Sequence, residues 1–143
     1  MIITLPSSIE LYYNFKRVLL SGHDLANASL DFYLTDSTYT PAPAIDRQLL
    51  NIPSASIVSA NGAENKRASK QIANWGNSVR LLVENVVFTS RVEGFAARRF
   101  VAVLDSNYLV ATGLIDPSNK DVEVRDGATL TLAFQDKVFL ELQ

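Results

Sequence analysis

The chain has 143 residues, of which 48% are hydrophobic and 20% charged, and its net charge is −2 at pH 7. This composition is that of one folded globular domain. It excludes a disordered chain and a nucleic-acid binder that works by bulk positive charge. The absence of cysteine excludes disulfides, a thiolate nucleophile and a cysteine metal site. The first residues lack the features of a signal peptide, and no stretch approaches the roughly 20 apolar residues that span a bilayer. We therefore expect neither nucleic acid nor a membrane as a partner.

A helix is predicted near the N-terminus, ending at Ser21-Gly22. A serine at position 7 or 8 can cap its first turn, and apolar side chains recur at helical spacing. These side chains are Ile9, Tyr12, Phe15, Leu19 and Leu20. We therefore divide a single domain into an N-terminal arm and helix, residues 1–22, and a β domain, residues 23–143.

After Gly22 the apolar spacing changes from helical to alternating. Leu30, Phe32 and Leu34 predict a strand with one buried face. Residues 46–50 predict a single helical turn, and residues 71–75 fit either a helix or a strand. The remaining features of this middle part are a short strand at Ile57-Val58, a turn at Asn61-Gly62, and a β-rich stretch from Val79 to Phe88 with a turn or bulge at Glu84-Asn85.

The C-terminal third predicts further short strands. Phe100 to Leu104 is apolar on both faces, as in a central strand, and Tyr108 to Ile115 follows across a turn. Short strands with frequent turns predict a mainly β fold, either an antiparallel β-sandwich or a barrel, with one N-terminal α-helix.

A closing hairpin is predicted around Gly127. A three-residue loop, Arg125-Asp126-Gly127, would pair Val124 with Ala128 and Val122 with Leu130, so that apolar residues share a face. In this arrangement Gly127 takes a positive φ.

No arrangement of residues predicts catalysis. His23 is the only histidine, so a multi-histidine metal site lacks ligands and a catalytic triad lacks an evident partner. The aspartates mostly occupy turn positions, where their side chains satisfy backbone groups, and they lack the spacing of an EF-hand. Nucleotide-binding glycine motifs are absent. The sequence therefore predicts a protein that is not an enzyme and holds neither a cofactor nor a metal.

Candidate interface residues lie at both ends of the chain and at a pair of arginines. The apolar arm before Pro6 is too short to form a core, and the strand-like C-terminal run can pair with a neighbour's sheet edge or pack on its own domain. The arginines either guard a strand edge or dock onto an acidic subunit. The candidate residues are Ile2, Ile3, Leu5, Arg98, Arg99, Phe139 and Leu140.

Two consecutive stretches carry a resemblance to a known family. Leu19 to Leu25 contains a Leu-Ser-Gly helix stop, and Leu30 to Pro41 reads as a strand followed by a Ser-Thr-Tyr-Thr-Pro turn. This order resembles a family of small structural proteins of tailed bacteriophages. Over residues 15–143 further segments match in order and spacing, with few identities and without the Gly/Asp-rich middle common in the family. These segments are Leu50-Asn51-Ile52-Pro53, Ile57-Val58, Val83 to Phe88, Phe100 to Asp105, Leu114-Ile115-Asp116 and Val122 to Phe134.

The resemblance implies a virion component, made in the host cytoplasm, that supplies no catalytic residues. The leading hypothesis is a capsid decoration, or cement, protein that binds the major capsid protein and itself, with a trimer as the expected homo-oligomer. One alternative is a tail, neck or fibre-base component of the same particle. Another is a carbohydrate-binding β-sandwich that uses exposed aromatic and acidic side chains.

Overall fold

The computed structural model describes residues 3–4 and 9–143. Within these residues the chain forms one α-helix and fourteen strands, so the fold is mainly β, as the alternating pattern predicts. The helix is α1 (Tyr13–Leu20). The strands are β1 (Ile3–Thr4), β2 (Ile9–Leu11), β3 (Leu30–Thr35), β4 (Ile57–Val58), β5 (Lys66–Arg67), β6 (Lys70–Trp75), β7 (Ser78–Val83), β8 (Val86–Thr89), β9 (Phe95–Ala97), β10 (Arg99–Leu104), β11 (Tyr108–Leu114), β12 (Val122–Val124), β13 (Thr129–Leu132) and β14 (Val138–Leu142).

The strands form two main antiparallel sheets. The large sheet has the order β2-β11-β10-β3-β4, with β5 also paired to β3, and the small sheet has the order β1-β14-β7-β6. Two further ribbons pair β12 with β9 and β13 with β8. The arrangement is sandwich-like and does not close into a barrel, which decides between the two predicted architectures.

The main core lies between the two sheets and is dry. Phe32 and Phe100 of the large sheet meet Phe139 of the small sheet, and the Phe32 and Phe139 ring centroids are 5.6 Å apart in an edge-to-face contact. Phe134 completes the cluster, with its centroid 5.0 Å from that of Phe139. Aromatic pairs in this geometry stabilise a core beyond the area they bury.

The opposite face of the large sheet is also covered, by the irregular segment 36–56. Val101 and Val103 pack there against Tyr12 and Tyr39. The prediction that β3 buries a single face is therefore wrong. Its second face carries Asp31 and Thr35, and both are buried. Segment 36–56 packs on this face, and Arg67 of β5 donates to Asp31 Oδ1 at 2.9 Å.

A chain of hydrogen bonds runs through this second face. The hydroxyls of Tyr12 and Tyr39 are 2.6 Å apart, and Tyr39 donates to Asp46 Oδ2 at 2.9 Å. The Ala42 backbone N–H also donates to Asp46 Oδ2. Burial raises the pKa of Tyr12 to about 12, and burial also raises the pKa of Tyr39. Loss of a proton would leave a phenolate away from water, so both phenols stay protonated.

The helix is shorter than predicted. It begins at Tyr13, and Ile9–Leu11 forms β2, which pairs with Gly113, Thr112 and Ala111 of β11. Tyr12 is the N-cap and is extended, with φ −75° and ψ 137°. Ser7 and Ser8, which were predicted to supply the cap, lie outside the described residues. Pairing with β11 overrides the helical spacing here. The predicted stop is confirmed, since Ser21 is the C-cap and Gly22 has φ +84°.

The hairpin predicted around Gly127 is wrong, although the positive φ of Gly127, +81°, is confirmed. β12 pairs with β9 and β13 pairs with β8, so the two strands do not face each other. Ser90 separates them: its backbone N–H donates to Ala128, its carbonyl accepts from the Gly127 N–H, and its Oγ donates to the Val124 carbonyl. Hydrogen bonds to Ser90 thus replace the backbone hydrogen bonds that a hairpin of β12 and β13 would have formed.

Candidate functional site: a free sheet edge and a polar groove

The β6–β7 hairpin places a strand at the end of the small sheet. Trp75 pairs with Ser78 across the two-residue loop Gly76-Asn77. Gly76 has φ +60°, as the first position of a type II′ turn requires, and glycine adopts this conformation without strain. The loop fixes the register of the hairpin. β6 therefore lies outside β7, and in the described part of the chain no strand lies beyond it.

The free edge of β6 offers backbone groups to a partner. In an antiparallel pair, alternate residues exchange both backbone hydrogen bonds with the neighbouring strand, and the residues between them direct N–H and C=O outward. Free edges are usually guarded by charge. The one charged residue of β6 is Lys70, whose Nζ donates to the Ala26 carbonyl at 2.9 Å. The remaining five residues, from Gln71 to Trp75, carry no charge.

Apolar side chains are exposed on both faces of this hairpin. The pairing register puts Ile72 and Val79 on one face and Trp75 on the other. Their exposed fractions are 40%, 38% and 63%. We call the free edge of β6 together with these three side chains the β6 surface. Exposed apolar groups beside unpaired backbone groups are the features of a protein-binding strand.

Trp75 is held in place by a polar cluster on its face. The Arg80 guanidinium lies 4.5 Å from the centroid of the Trp75 ring, which is cation–π geometry. Arg80 Nε also donates to Glu141 Oε1 at 3.2 Å, and Ser78 Oγ donates to the same oxygen. These hydrogen bonds hold the pKa of Glu141 below its usual range. The contacts order an exposed tryptophan before any partner binds.

The two arginines predicted as interface residues make contacts within the chain, Arg98 through an ion pair and Arg99 through strand pairing. Arg98 Nε donates to Asp121 Oδ1 at 2.9 Å, and its backbone bridges Thr35 and Ile115. Arg99 begins β10, between β3 and β11, and its side chain is half-buried. The structure gives the Arg98 guanidinium an acidic neighbour in its own chain.

The C-terminal candidates lie in the core. Phe139 and Leu140 are fully buried, and β14 pairs with both β7 and β1. Of the two alternatives for this run, the structure shows packing on its own domain and not pairing with a neighbour, because a bulge at Phe139 turns both side chains into the core. Ile3 pairs with Leu142 of the same chain, so one side of its backbone is occupied, and β1 forms the end of the small sheet opposite β6. Ile2 and Leu5 lie outside the described residues.

Sequence reasoning did not single out the β6 surface. The stretch Gln71 to Trp75 has no clear alternation, and its aromatic residue is as common in a core as at an interface. A usable signal was Trp75-Gly76-Asn77-Ser78, which combines glycine at the first loop position with flanking β-forming residues.

A polar groove lies between α1 and the turns at residues 47–51 and 105–108. Its volume is about 510 Å³. The lining residues share a polar character apart from Val18, and they are Asn14, Arg17, Val18, Ser21, His23, Arg47, Gln48, Asn51 and Tyr108. Three separate elements therefore direct polar side chains into one space.

His23 is fixed at one end of this groove. Its Nε2 is 2.7 Å from Asp105 Oδ2, and its ring meets that of Tyr108 edge to face. Asp105 also accepts from the Ser29 N–H through its other oxygen. Ser21 lines the same groove but donates its hydroxyl to the Val18 carbonyl. The imidazole is thus held by a carboxylate, while the nearby hydroxyl is engaged elsewhere.

Among residues 3–4 and 9–143, no group of three His, Asp or Glu side chains is arranged to hold a metal ion. No helix within the same residues is long and apolar enough to cross a bilayer. Comparisons with protein-family models, curated proteins and solved structures each find no match to this chain. The family resemblance thus rests on the residues quoted for it.

Proposed function

We propose that this chain is a structural protein of a tailed-phage virion, a capsid decoration protein that binds the major capsid shell. The observation that carries the proposal is the β6 surface, a strand with one free edge flanked by exposed apolar side chains. The order of segments shared with small phage structural proteins supports the same role.

A free edge strand suits attachment to a protein shell. A strand from a capsid subunit can extend the small sheet, with backbone hydrogen bonds supplying affinity and alternate side chains supplying register. Trp75 and Ile72 then bury apolar area on the two faces of the extended sheet. Because Arg80 and Glu141 already order Trp75, little side-chain entropy is lost on binding.

Self-association is part of the proposal. A decoration protein bound at a local symmetry axis of a shell contacts its own copies as well as the shell, and a trimer is the expected form. Sedimentation of the free protein and of the protein released from particles tests this expectation directly. A monomer in both states would contradict it.

Counting copies tests the location in the virion. Quantitative mass spectrometry of purified particles of the phage that encodes this chain should find on the order of hundreds of copies per particle, as symmetric coverage of a shell requires. About a dozen copies or fewer would instead assign the chain to the tail, neck or fibre base. Absence from the particles would contradict a virion role altogether.

A charge on the free edge tests the surface itself. Ile72→Lys places a second cation on β6 and should weaken binding to particles at least about tenfold, because edge charges oppose strand addition. Val87→Lys is the matched control, since Val87 is 45% exposed on β8, a strand of a separate ribbon. Both variants should melt like the parent protein.

Deletion of residues 1–5 separates the two candidate interfaces. If the β6 surface makes the contact, the deleted protein still binds particles. If binding is lost while the protein still melts cooperatively, the contact belongs to the N-terminal arm that carries Ile2 and Leu5. In that case Ile72→Lys should bind normally, and the two experiments together assign one interface.

A further inference from the structure

We propose that the polar groove is a binding site for an acidic saccharide, meaning a sugar ring that carries a carboxylate. This site lies between α1 and two turns of the large sheet. It is separate from the β6 surface, so the inference goes beyond attachment to a shell.

The walls of the groove are fixed to each other by backbone hydrogen bonds. The Leu49 N–H donates to the Asn107 carbonyl at 2.7 Å, and the Leu109 N–H donates to the Arg47 carbonyl at 3.0 Å. Asn14 Nδ2 donates to the same Arg47 carbonyl, which ties α1 to the opposite wall. The groove is therefore formed in advance, and a ligand need not order it.

The charge of the groove favours an anion. Arg17 and Arg47 line it, and neither guanidinium forms an ion pair with another described residue. The carboxylate at the end of the groove, that of Asp105, is already bonded to His23. Guanidinium groups bind the two oxygens of a carboxylate in a planar, bidentate geometry. A carboxylate between the arginines would supply the missing negative charge.

The remaining lining groups favour a hydroxyl-rich ligand. Asn14, Gln48 and Asn51 carry amides, which both donate and accept hydrogen bonds, as sugar hydroxyls do. Asn51 Oδ1 accepts from the backbone N–H groups of Arg47 and Gln48, which orients its Nδ2 hydrogens for another partner. Tyr108 adds a phenol.

Size and polarity agree with this assignment. The volume of about 510 Å³ lies within the range of small-molecule sites, roughly 300–1,000 Å³. The Asn14 and Gln48 amides already bond within the groove walls, whereas Asn51 Nδ2 has no hydrogen-bond acceptor among the described residues. A single carboxylate side chain of a peptide would use the arginines and leave these Nδ2 donors unused. A carboxylated sugar uses both sets of groups, so we assign the groove to a saccharide and not to an acidic peptide.

The test is a titration of the full chain, followed by amide chemical shifts, with glucuronate as the probe. Glucose, acetate and a tetraglutamate peptide are the comparison ligands. Glucuronate should bind with a Kd of about 1 mM or lower and shift amides at Arg17, Arg47 and Tyr108. Glucose lacks the charge and acetate lacks the hydroxyls, so each should bind at least about tenfold more weakly.

Substitutions assign the binding to the groove. Arg17→Gln and Arg47→Gln should each weaken glucuronate binding at least about tenfold, because each removes a charge-assisted hydrogen bond. Arg125→Gln, on the exposed turn next to Gly127, is the matched control and should bind like the parent. Equal binding of glucose or acetate, tighter binding of the peptide, or shifts confined to residues outside the groove would each overturn the proposal.

Discussion

The two faces of the large sheet are buried by different means. One face meets the small sheet through a dry cluster of phenylalanines that includes Phe32, Phe100 and Phe139. The other face lies under segment 36–56, where Tyr12, Tyr39 and Asp46 are joined by hydrogen bonds. The first face gains stability from apolar volume and contact, and the second adds hydrogen bonds between side chains to the packing of Val101 and Val103. Substitutions that remove volume and substitutions that remove a hydrogen bond should therefore separate the two.

The largest effect is expected from Phe139→Ala on the dry face. Removal of a fully buried ring leaves a cavity against Phe32 and Phe134, and should lower the free energy of unfolding by about 3–5 kcal/mol. Urea denaturation measures this change. Phe139→Leu, which keeps most of the volume, should lose far less, and equal losses for both variants would show that volume does not decide stability here.

A smaller effect is expected from Tyr39→Phe on the polar face. The substitution keeps the ring but removes the hydroxyl between Tyr12 and Asp46. It should cost about 2 kcal/mol, because the buried Tyr12 hydroxyl and the half-buried Asp46 carboxylate each lose a hydrogen bond. Tyr13→Phe, at an exposed tyrosine on α1, is the matched control and should leave the unfolding curve unchanged. A parent-like Tyr39→Phe would mean that this face also depends on packing alone.

The polar face should also respond to alkaline pH. The pKa of Tyr12 is raised to about 12 and that of Tyr39 is raised further, so the folded protein retains protons that the unfolded chain loses near pH 10. Their contribution to stability is complete below about pH 10 and is lost as the pH rises through 12.

Near-ultraviolet absorbance of phenolate measures this ionisation. Among the five tyrosines, a late-titrating group should be visible in the parent and should disappear on unfolding. The double variant Tyr12→Phe/Tyr39→Phe should lose the late step. A single step near pH 10 for all five tyrosines in the folded parent would contradict the hydrogen-bonded arrangement.

The smallest expected effect is a gain in the free energy of unfolding. Thr35 is fully buried on the polar face, and its Oγ1 has no hydrogen-bond partner among the described residues. Thr35→Val replaces that hydroxyl with a methyl group of similar shape and should stabilise the fold by about 1 kcal/mol. Thr112→Val is the contrast, because Thr112 Oγ1 donates to the Phe100 carbonyl and its loss should destabilise. A loss for both would mean that Thr35 is satisfied in solution.

The same division explains what could be predicted from the sequence. Leu30, Phe32 and Leu34 alternate strictly, so β3 and its dry face follow from pattern alone. The polar face could not be predicted from a pattern, because Tyr39 and Asp46 belong to an irregular segment without a hydrophobic period. Only the folded chain brings these two residues to Tyr12. Ile9 and Tyr12 had helical spacing, yet contact with β11 made the first of them part of a strand.

The candidate sites depend still more on tertiary structure. His23 and Asp105 are 82 positions apart, and no local motif connects them. The exposure of Trp75 follows from the place of β6 at the end of a sheet, which depends on the strand order and not on the residues of β6 themselves. Buried elements were thus predictable where one periodic segment carried the signal, and sites assembled from several segments were not.

The position of β14 has a consequence for how the chain acquires its fold. β14 is the last strand in the sequence, yet it lies inside the small sheet, between β1 and β7. A ribosome therefore releases Phe139 and Leu140 after almost every residue they pack on. Until then β7 lacks its partner on one side and the phenylalanine cluster stays open to water. Closure of the sandwich thus waits for β14 to pair with β1 and β7, which lie much earlier in the sequence. Such long-range pairing makes folding slow and leaves the incomplete chain prone to aggregation.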